Sequence, residues 1–212
     1  RRIYGDLARF CHSPAQFWSM TTTLPITVIY EDADLIAVNK PAGLLVQPVP
    51  GRASRESEKT LVDHFPLFYL VHRLDRETSG VLVMAKTPTA QEFIQEQFHD
   101  RLIKKTYLAL VYGNLKVRAG EIDLPIGRHP KHSFLRFASV NAKSPLRSAH
   151  TSYQVKASFT GYDYLLLQPT TGRTHQLRVH LQALGHPILG DKLYAKNRPG
   201  LPAMSRHALH AA

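Results

Sequence analysis

The alternation of apolar and polar positions sharpens after residue 26. Residues 27–30 and 35–39 are short apolar runs flanking the polar turn Glu31-Asp32-Ala33-Asp34, a pattern that predicts a β-hairpin. The second run closes on Asn39-Lys40-Pro41-Ala42-Gly43, where proline stops a strand and glycine lets the chain turn. Residues 60–65 read as a short helix or turn. Residues 80–85 are almost unbroken apolar, the pattern of a strand buried on both faces. Thr87-Pro88 then predicts a helix start, with a capping hydroxyl and proline at the first helical position. Ala90, Phe93, Ile94, Phe98 and Leu102 recur at helical spacing, so that face is expected to pack on a sheet. The helix is expected to end in Arg101, Lys104 and Lys105, cations that complement its C-terminal dipole.

Residues 105–113 predict a strand by their β-branched and aromatic content. A short strand is expected at 121–126, closed by Pro125, and an antiparallel pair at 150–157 and 162–168. Leu177, Leu181 and Leu184 then line one face of a helix capped by Thr174 and stopped by Gly185. Between these elements, residues 1–24 carry little periodic signal and are expected to be an N-terminal extension. Residues 48–59 are polar and expected to form a loop. Residues 127–143 mix Arg128, His129, Lys131, His132, Arg136 and Lys143 with Phe134 and Phe137. That interleaving suits single-stranded RNA, and equally a solvated loop with satellite packing.

Composition narrows the class. With 212 residues and 43% hydrophobic content the chain can bury a full core, expected as one domain over residues 25–212. The net charge of +11 calls for a polyanionic partner, nucleic acid or an anionic membrane surface. No apolar run approaches the roughly 18 residues that cross a bilayer. The single cysteine, Cys11, excludes a disulfide within these residues and a zinc site of several cysteines. A protein of the reducing cytoplasm fits best.

Chemistry is concentrated in front of the buried run. His72, Arg73, Asp75, Arg76, Glu77 and Thr78 crowd into a polar loop, and Ser79-Gly80 allow a turn into the strand. Asp75 stands between Arg73 and Arg76, a setting that keeps a carboxylate ionised. Taken alone it could equally cap a turn or pair with a neighbouring arginine. Tyr107 in 105–113 could be a core tyrosine. Arg178 falls on a helical stripe with His175 and Gln182, spaced to point together, and could also be a surface ion-pair arginine.

Three strings resemble the RluA-type pseudouridine synthases. HRLDRETSG resembles that family's HRLD-x-x-TSG signature, KTYLALVYG its K-x-Y-x-A-x-V-x-G block, and TGRTHQLRVHLQALGHPILGD its T-G-R-x-H-Q-[IL]-R-x-H block with the GHPIxGD continuation. NKPAG is similar to its NKPxG motif, which borders the active cleft. The resemblance implies an α+β fold: a mixed, mainly antiparallel central sheet flanked by helices and loops, with the active cleft across the sheet. It implies catalytic Asp75, Tyr107 stacked on the target base, and Arg178 paired with Asp75. It also implies RNA contacts from Arg73, His72, Thr78, Lys40, Lys105, Arg173 and His175, with Arg73 filling the stack vacated by a flipped uridine. Many such enzymes carry an S4-type RNA-binding module. The residues ahead of 25 are too few for one, so the catalytic domain is expected to bind RNA unaided, as a monomer. Such enzymes usually run on into a further strand after the Leu-His-Ala segment, so truncation at the C-terminal end is expected.

The implied reaction breaks the N1–C1′ bond of an RNA uridine, turns the uracil and rejoins it through C5. It requires no cofactor and no metal, only a carboxylate inside a closed pocket. The expected substrate is structured ribosomal and/or transfer RNA. The alternative is a catalytically silent RNA-binding protein of the same fold. A glycoside hydrolase ranks behind both, since only Glu77 lies near Asp75 and such enzymes use two carboxylates.

Overall fold

The computed structural model describes residues 26–48, 59–132, 134–195, 201 and 203–212. The expected N-terminal extension and nearly all of the 48–59 loop lie outside them. The chain forms a mixed, mainly antiparallel sheet architecture with few helices. It divides into two compact units, whose described residues are 26–105 with 210–212 and 106–209. Each is described by itself.

In the first unit the expected hairpin is β1 (Thr27–Glu31) and β2 (Leu35–Lys40), paired antiparallel. Asp32 holds the turn, its carboxylate accepting the amides of Asp34 and Leu35 at 2.8 Å each. The short helix α1 (Leu61–His64) is followed by the two-residue β3 (Tyr69–Leu70). The apolar run is β4 (Ser79–Ala85), with β2 and β3 antiparallel to it. Leu82 and Met84 on one face and Ala85 on the other have no solvent exposure, but Val81 and Val83 are half-buried, so the expected burial on both faces is incomplete on the second. Helix α2 (Pro88–His99) begins as expected, the Thr87 hydroxyl accepting the Ala90 amide.

Helix α2 departs from expectation on its outer side. Ala90, Ile94 and Phe98 pack against Val71, Val83 and Ala85, but Phe93 is 64% and Leu102 67% exposed. A stripe three residues wide is all that one neighbouring surface covers. The helix also stops before the cations, because Arg101 adopts a positive φ of 60° after the cap at Asp100. The last residues of the chain form β12 (Leu209–Ala211), whose His210 and Ala211 pair in parallel with Ser79 and Gly80.

The second unit is built on β5 (Tyr107–Tyr112), β6 (Ala119–Asp123), β10 (His150–Phe159) and β11 (Tyr162–Pro169). These run β5-β11-β10-β6, antiparallel throughout. Ala109, Leu110, Val111, Leu165, Leu167, Leu181, Ile188 and Leu189 are fully buried at its centre. Tyr112, Tyr153 and Tyr162 are buried there as packing residues, and Tyr164 is partly buried against the same cluster. Where a strand and an insertion were expected over 121–143, Pro125 separates β6 from a second sheet. That sheet sets β7 (Ile126–Arg128) between β8 (Arg136–Ala138) and β9 (Lys143–Arg147). Helix α3 (Gln176–Ala183) is capped by His175 rather than Thr174. Leu177 and Leu181 are buried on its inner face, whereas Leu184 is 36% exposed. Gly185, at φ 86°, ends it as expected. Among the described residues no helix is long and apolar enough to cross a membrane.

Gly80 is the most constrained point of β4. Its φ is 116°, and a Cβ there would collide with the Ala211 backbone. Gly80→Ala should lower the unfolding free energy by about 2–3 kcal/mol, a steric clash added to a strained backbone. Gly43→Ala, at φ 86° but facing open space, should cost about 1–2 kcal/mol. Urea denaturation of both variants checks the difference.

Candidate active site

In the first unit the polar loop is held from beneath by Lys40. This residue was expected to face RNA. It is 0% exposed, and its Nζ donates to the carbonyls of Pro41 (2.8 Å), Leu44 (2.9 Å) and Arg76 (3.0 Å). The Pro41–Gly43 turn bends backbone carbonyls inward, and an ammonium with three donors satisfies them. The Gly43 amide donates to the Arg76 carbonyl, and Arg76 Nε donates back to the Gly43 carbonyl, both at 2.9 Å. The NKPAG turn is thus fastened to the HRLD loop.

Asp75 occupies the first position of a tight turn closed by the Thr78 amide donating to its carbonyl at 3.0 Å. The turn feeds directly into β4, and Leu74 and Thr78 on either side are 5% and 2% exposed. The carboxylate therefore rides on a short, doubly anchored segment, itself partly exposed. Thr78, expected as an RNA contact, is turned inward. Arg73 is exposed.

His72 is likewise not a surface cation. Its Nε2 accepts the Val83 amide at 2.9 Å, and its ring lies 5.0 Å from that of Phe98. Burial, with the charge of Lys105 added, lowers its pKa to about 4. The proton of the neutral ring is therefore on Nδ1, and the residue pins the loop to β4 and α2.

In the second unit, Tyr107 is the first residue of β5, opposite Leu167 and only partly covered. Arg178 projects from α3, is 6% exposed, and grips Asp191 through two bonds, Nε–Oδ2 at 2.7 Å and Nη2–Oδ1 at 2.8 Å. Its guanidinium lies over the Tyr194 ring, 4.9 Å from the centroid. Burial alone would raise the Asp191 carboxyl. The hydrogen bonds and charge of Arg178, with the Leu193 amide, more than offset this and hold it below the ordinary range. The Tyr194 hydroxyl meets His175 Nδ1 at 2.7 Å and accepts the Arg136 amide at 3.0 Å. His175 itself is left-handed, at φ 58° and ψ 18°, uncommon for a non-glycine residue. Arg178, Tyr194, His175 and Asp191 thus form one connected set.

Asp191 and Tyr194 were not assigned from the sequence. The signal for the first lay in the final Asp of GHPILGD, which stands at the same buried turn as Ile188 and Leu189. Two other residues of the third string work inside the fold. Gln176 bonds Thr171, Arg173, His150 and Thr151, with both ends of its amide used. His180 is fully buried between the Thr151 hydroxyl and the Leu124 carbonyl, and burial lowers its pKa. Arg173, partly exposed, donates from Nε to the Ser148 carbonyl at 3.2 Å.

Residues 34–183 match the RNA pseudouridylate synthase family model. The chain is 45% identical over 193 residues to the dual-specificity RNA pseudouridine synthase RluA of Yersinia pestis, a match covering 87% of this chain and 88% of that one. It is 41% identical over 200 residues to the ribosomal large subunit pseudouridine synthase D of Nitrosomonas europaea, covering 89% of this chain and 57% of the other. The chain therefore spans little more than half the length of that relative. Among solved structures it is similar to human RNA pseudouridylate synthase domain containing 4, with a TM-score of 0.73 and 28% identity over 87% of this chain and 81% of that one. The human domain containing 1 protein gives 0.71 and 30%, over 91% and 79%. The chain belongs to the RNA pseudouridylate synthase family.

Two outcomes follow from this geometry. Asp191→Ala takes the bidentate partner from a buried guanidinium and should destabilise the protein by about 3–5 kcal/mol in chemical denaturation. His72 has a folded pKa below its unfolded one, so the unfolded state takes up the proton first as pH falls. Stability should therefore decline between about pH 6.5 and pH 4. His72→Asn should flatten this decline by about 1–2 kcal/mol, since the ring is only partly covered. Denaturation midpoints across that pH range measure it.

Proposed function

We propose that this chain is an RNA pseudouridine synthase that isomerises specific uridines in ribosomal and/or transfer RNA through Asp75. The observation that carries the reading is the setting of Asp75. It lies in the family's catalytic string, on a turn anchored by Lys40 and Thr78 at the mouth of a buried strand. A carboxylate on so short a tether loses little freedom when it meets a substrate, which is the requirement for positioned acid, base or nucleophile work.

The Asp75 carboxylate opens the reaction at the ribose or the base, and the N1–C1′ bond breaks. The freed uracil turns and forms a bond from C5 to C1′, the C5 hydrogen leaves as a proton, and N1 takes up a proton, so that product and substrate have the same composition. Atoms and electrons balance without an external reagent. Tyr107 is assigned as the ring that keeps the uracil stacked during its rotation, and Arg178, held by Asp191, as the arginine that the third string contributes to catalysis. Arg73, exposed on the same loop as Asp75, is assigned to the gap left by the flipped nucleotide, where a planar guanidinium both stacks and bonds phosphate. A reducing, aqueous compartment such as the cytoplasm suits a chain with one cysteine.

Release of tritium from RNA transcripts carrying 5-tritiated uridine reads the reaction directly. Wild-type protein should release it. Asp75→Asn should reduce the rate by about 10²- to 10⁴-fold, the usual worth of a positioned catalytic group, with RNA binding largely kept. Equal release by a folded Asp75→Asn protein would refute the mechanism, and no release by wild type on ribosomal or transfer RNA would favour the silent RNA-binding alternative.

A further inference from the structure

We propose that the second unit carries a separate phosphate-binding pocket that grips the RNA backbone, between the β7–β9 sheet and the turn before α3. The pocket is about 220 Å³ in volume and is lined by Arg128, Arg136, Arg147 and Arg173, with Gly172 and Thr174. No acidic residue lines it. None of the four guanidinium groups forms an ion pair with a described carboxylate. This contrasts with Arg178, whose charge is matched by Asp191.

The strand register makes the arrangement costly without a ligand. Arg128 on the central strand stands directly opposite Arg136 on β8 and Lys143 on β9. Like charges facing one another across a sheet repel, and folded proteins ordinarily avoid them or place an anion among them. One of the four guanidinium groups is also held in place, Arg173 Nε donating to the Ser148 carbonyl, and the backbone of Arg136 is fixed by its amide donating to the Tyr194 hydroxyl. Positioned guanidinium forks match the oxygen geometry of a phosphate, which they bind in pairs of parallel hydrogen bonds.

Size and surroundings indicate which phosphate. The volume is below the roughly 300–1,000 Å³ of pockets that enclose a whole small-molecule ligand, so it suits a phosphate group with the rest of its chain outside. Immediately past Arg128, the rings of His129, His132 and Phe134 form a row with centroids 5.1 and 5.9 Å apart, and Phe134 is 71% exposed. Exposed rings beside a cationic groove are the recognition surface of a single-stranded nucleic acid, with bases on the rings and phosphates on the cations. The occupant is a phosphodiester of an RNA strand. This inference rests on the RNA substrate proposed above, and it assigns three backbone-gripping residues, Arg128, Arg136 and Arg147, outside the motif strings.

Binding of a fluorescent oligouridylate, followed by anisotropy over a series of salt concentrations, tests it. Arg128 and Arg147 are exposed, so an Arg128→Gln/Arg147→Gln double variant should keep its melting temperature. Loss of two phosphate contacts should reduce the slope of log affinity against log salt by about 1.4, at about 0.7 per contact on a single strand. Arg128→Lys/Arg147→Lys should restore the slope, and Arg118→Gln, at the Ser158 contact on β6's margin, should leave it unchanged. A double glutamine variant with the wild-type slope would overturn the proposal, as would displacement of the oligouridylate by millimolar inorganic phosphate, which would indicate a free-anion site. The readout needs no turnover and is repeated in Asp75→Asn. Wild-type slopes in the double variant with normal tritium release count against the pocket alone. A reduced slope in a protein that never releases tritium counts against the enzymatic reading alone.

Discussion

A cation removed from water must be given oxygen partners, and that requirement organises both units. Lys40 and Arg178 are buried, and desolvating either without partners would cost several kcal/mol. The two sites solve this differently. Lys40 uses backbone carbonyls from two separate segments, so satisfying its three donors also ties the 41–44 turn to the loop at 76. Arg178 uses a carboxylate and an aromatic face, so its charge joins α3 to the turn at 191–194. In each case the electrostatic need of one side chain fixes the relative position of two separate stretches of chain, 36 residues apart for Lys40 and Arg76 and 13 for Arg178 and Asp191.

Around these two anchors the remaining polar residues work as neutral hydrogen-bonding parts. His72 accepts from a strand amide, His180 bridges a hydroxyl and a carbonyl, and Gln176 uses both ends of its amide. Burial lowers both histidine pKa values, which keeps them uncharged and makes their hydrogen bonds directional. The motif strings therefore hold two kinds of residue. Some are exposed or partly so, such as Arg73, Asp75 and Tyr107. Others, such as Thr78, Gln176 and His180, are buried and bonded within their own unit, Thr78 to the Asp75 carbonyl, Gln176 and His180 to the strands beneath α3.

The net charge of +11 is distributed in the same two ways. Where a cation is internal it is paired or bonded, and it contributes little to the outer field. Where the small β7–β9 sheet meets the turn before α3, several arginines share one pocket with no carboxylate in its lining. On the proposal above, an anionic backbone gains from contact at that site because the field of several fixed charges adds at one point.

Local pattern was enough for most elements. The hairpin at 27–40, the buried strand at 79–85, the Thr87 cap and the β10–β11 pair were all legible, because periodicity and turn chemistry act between residues close in sequence. The family was legible too, since its strings are contiguous. Long-range packing decided the rest. Lys40 and Thr78 read as surface residues by type, yet they are interior because distant carbonyls and strands close over them. Phe93 reads as core by spacing, yet it is exposed because its neighbours cover a narrower face than the stripe presents. Pro125 separates two sheets where one strand was expected, and His175 rather than Thr174 caps α3. The partnership of Arg178 with Asp191 links residues 13 apart through a buried turn. Sequence names the chemical groups; which of them meet, and which meet water, is set by contacts whose partners lie far along the chain.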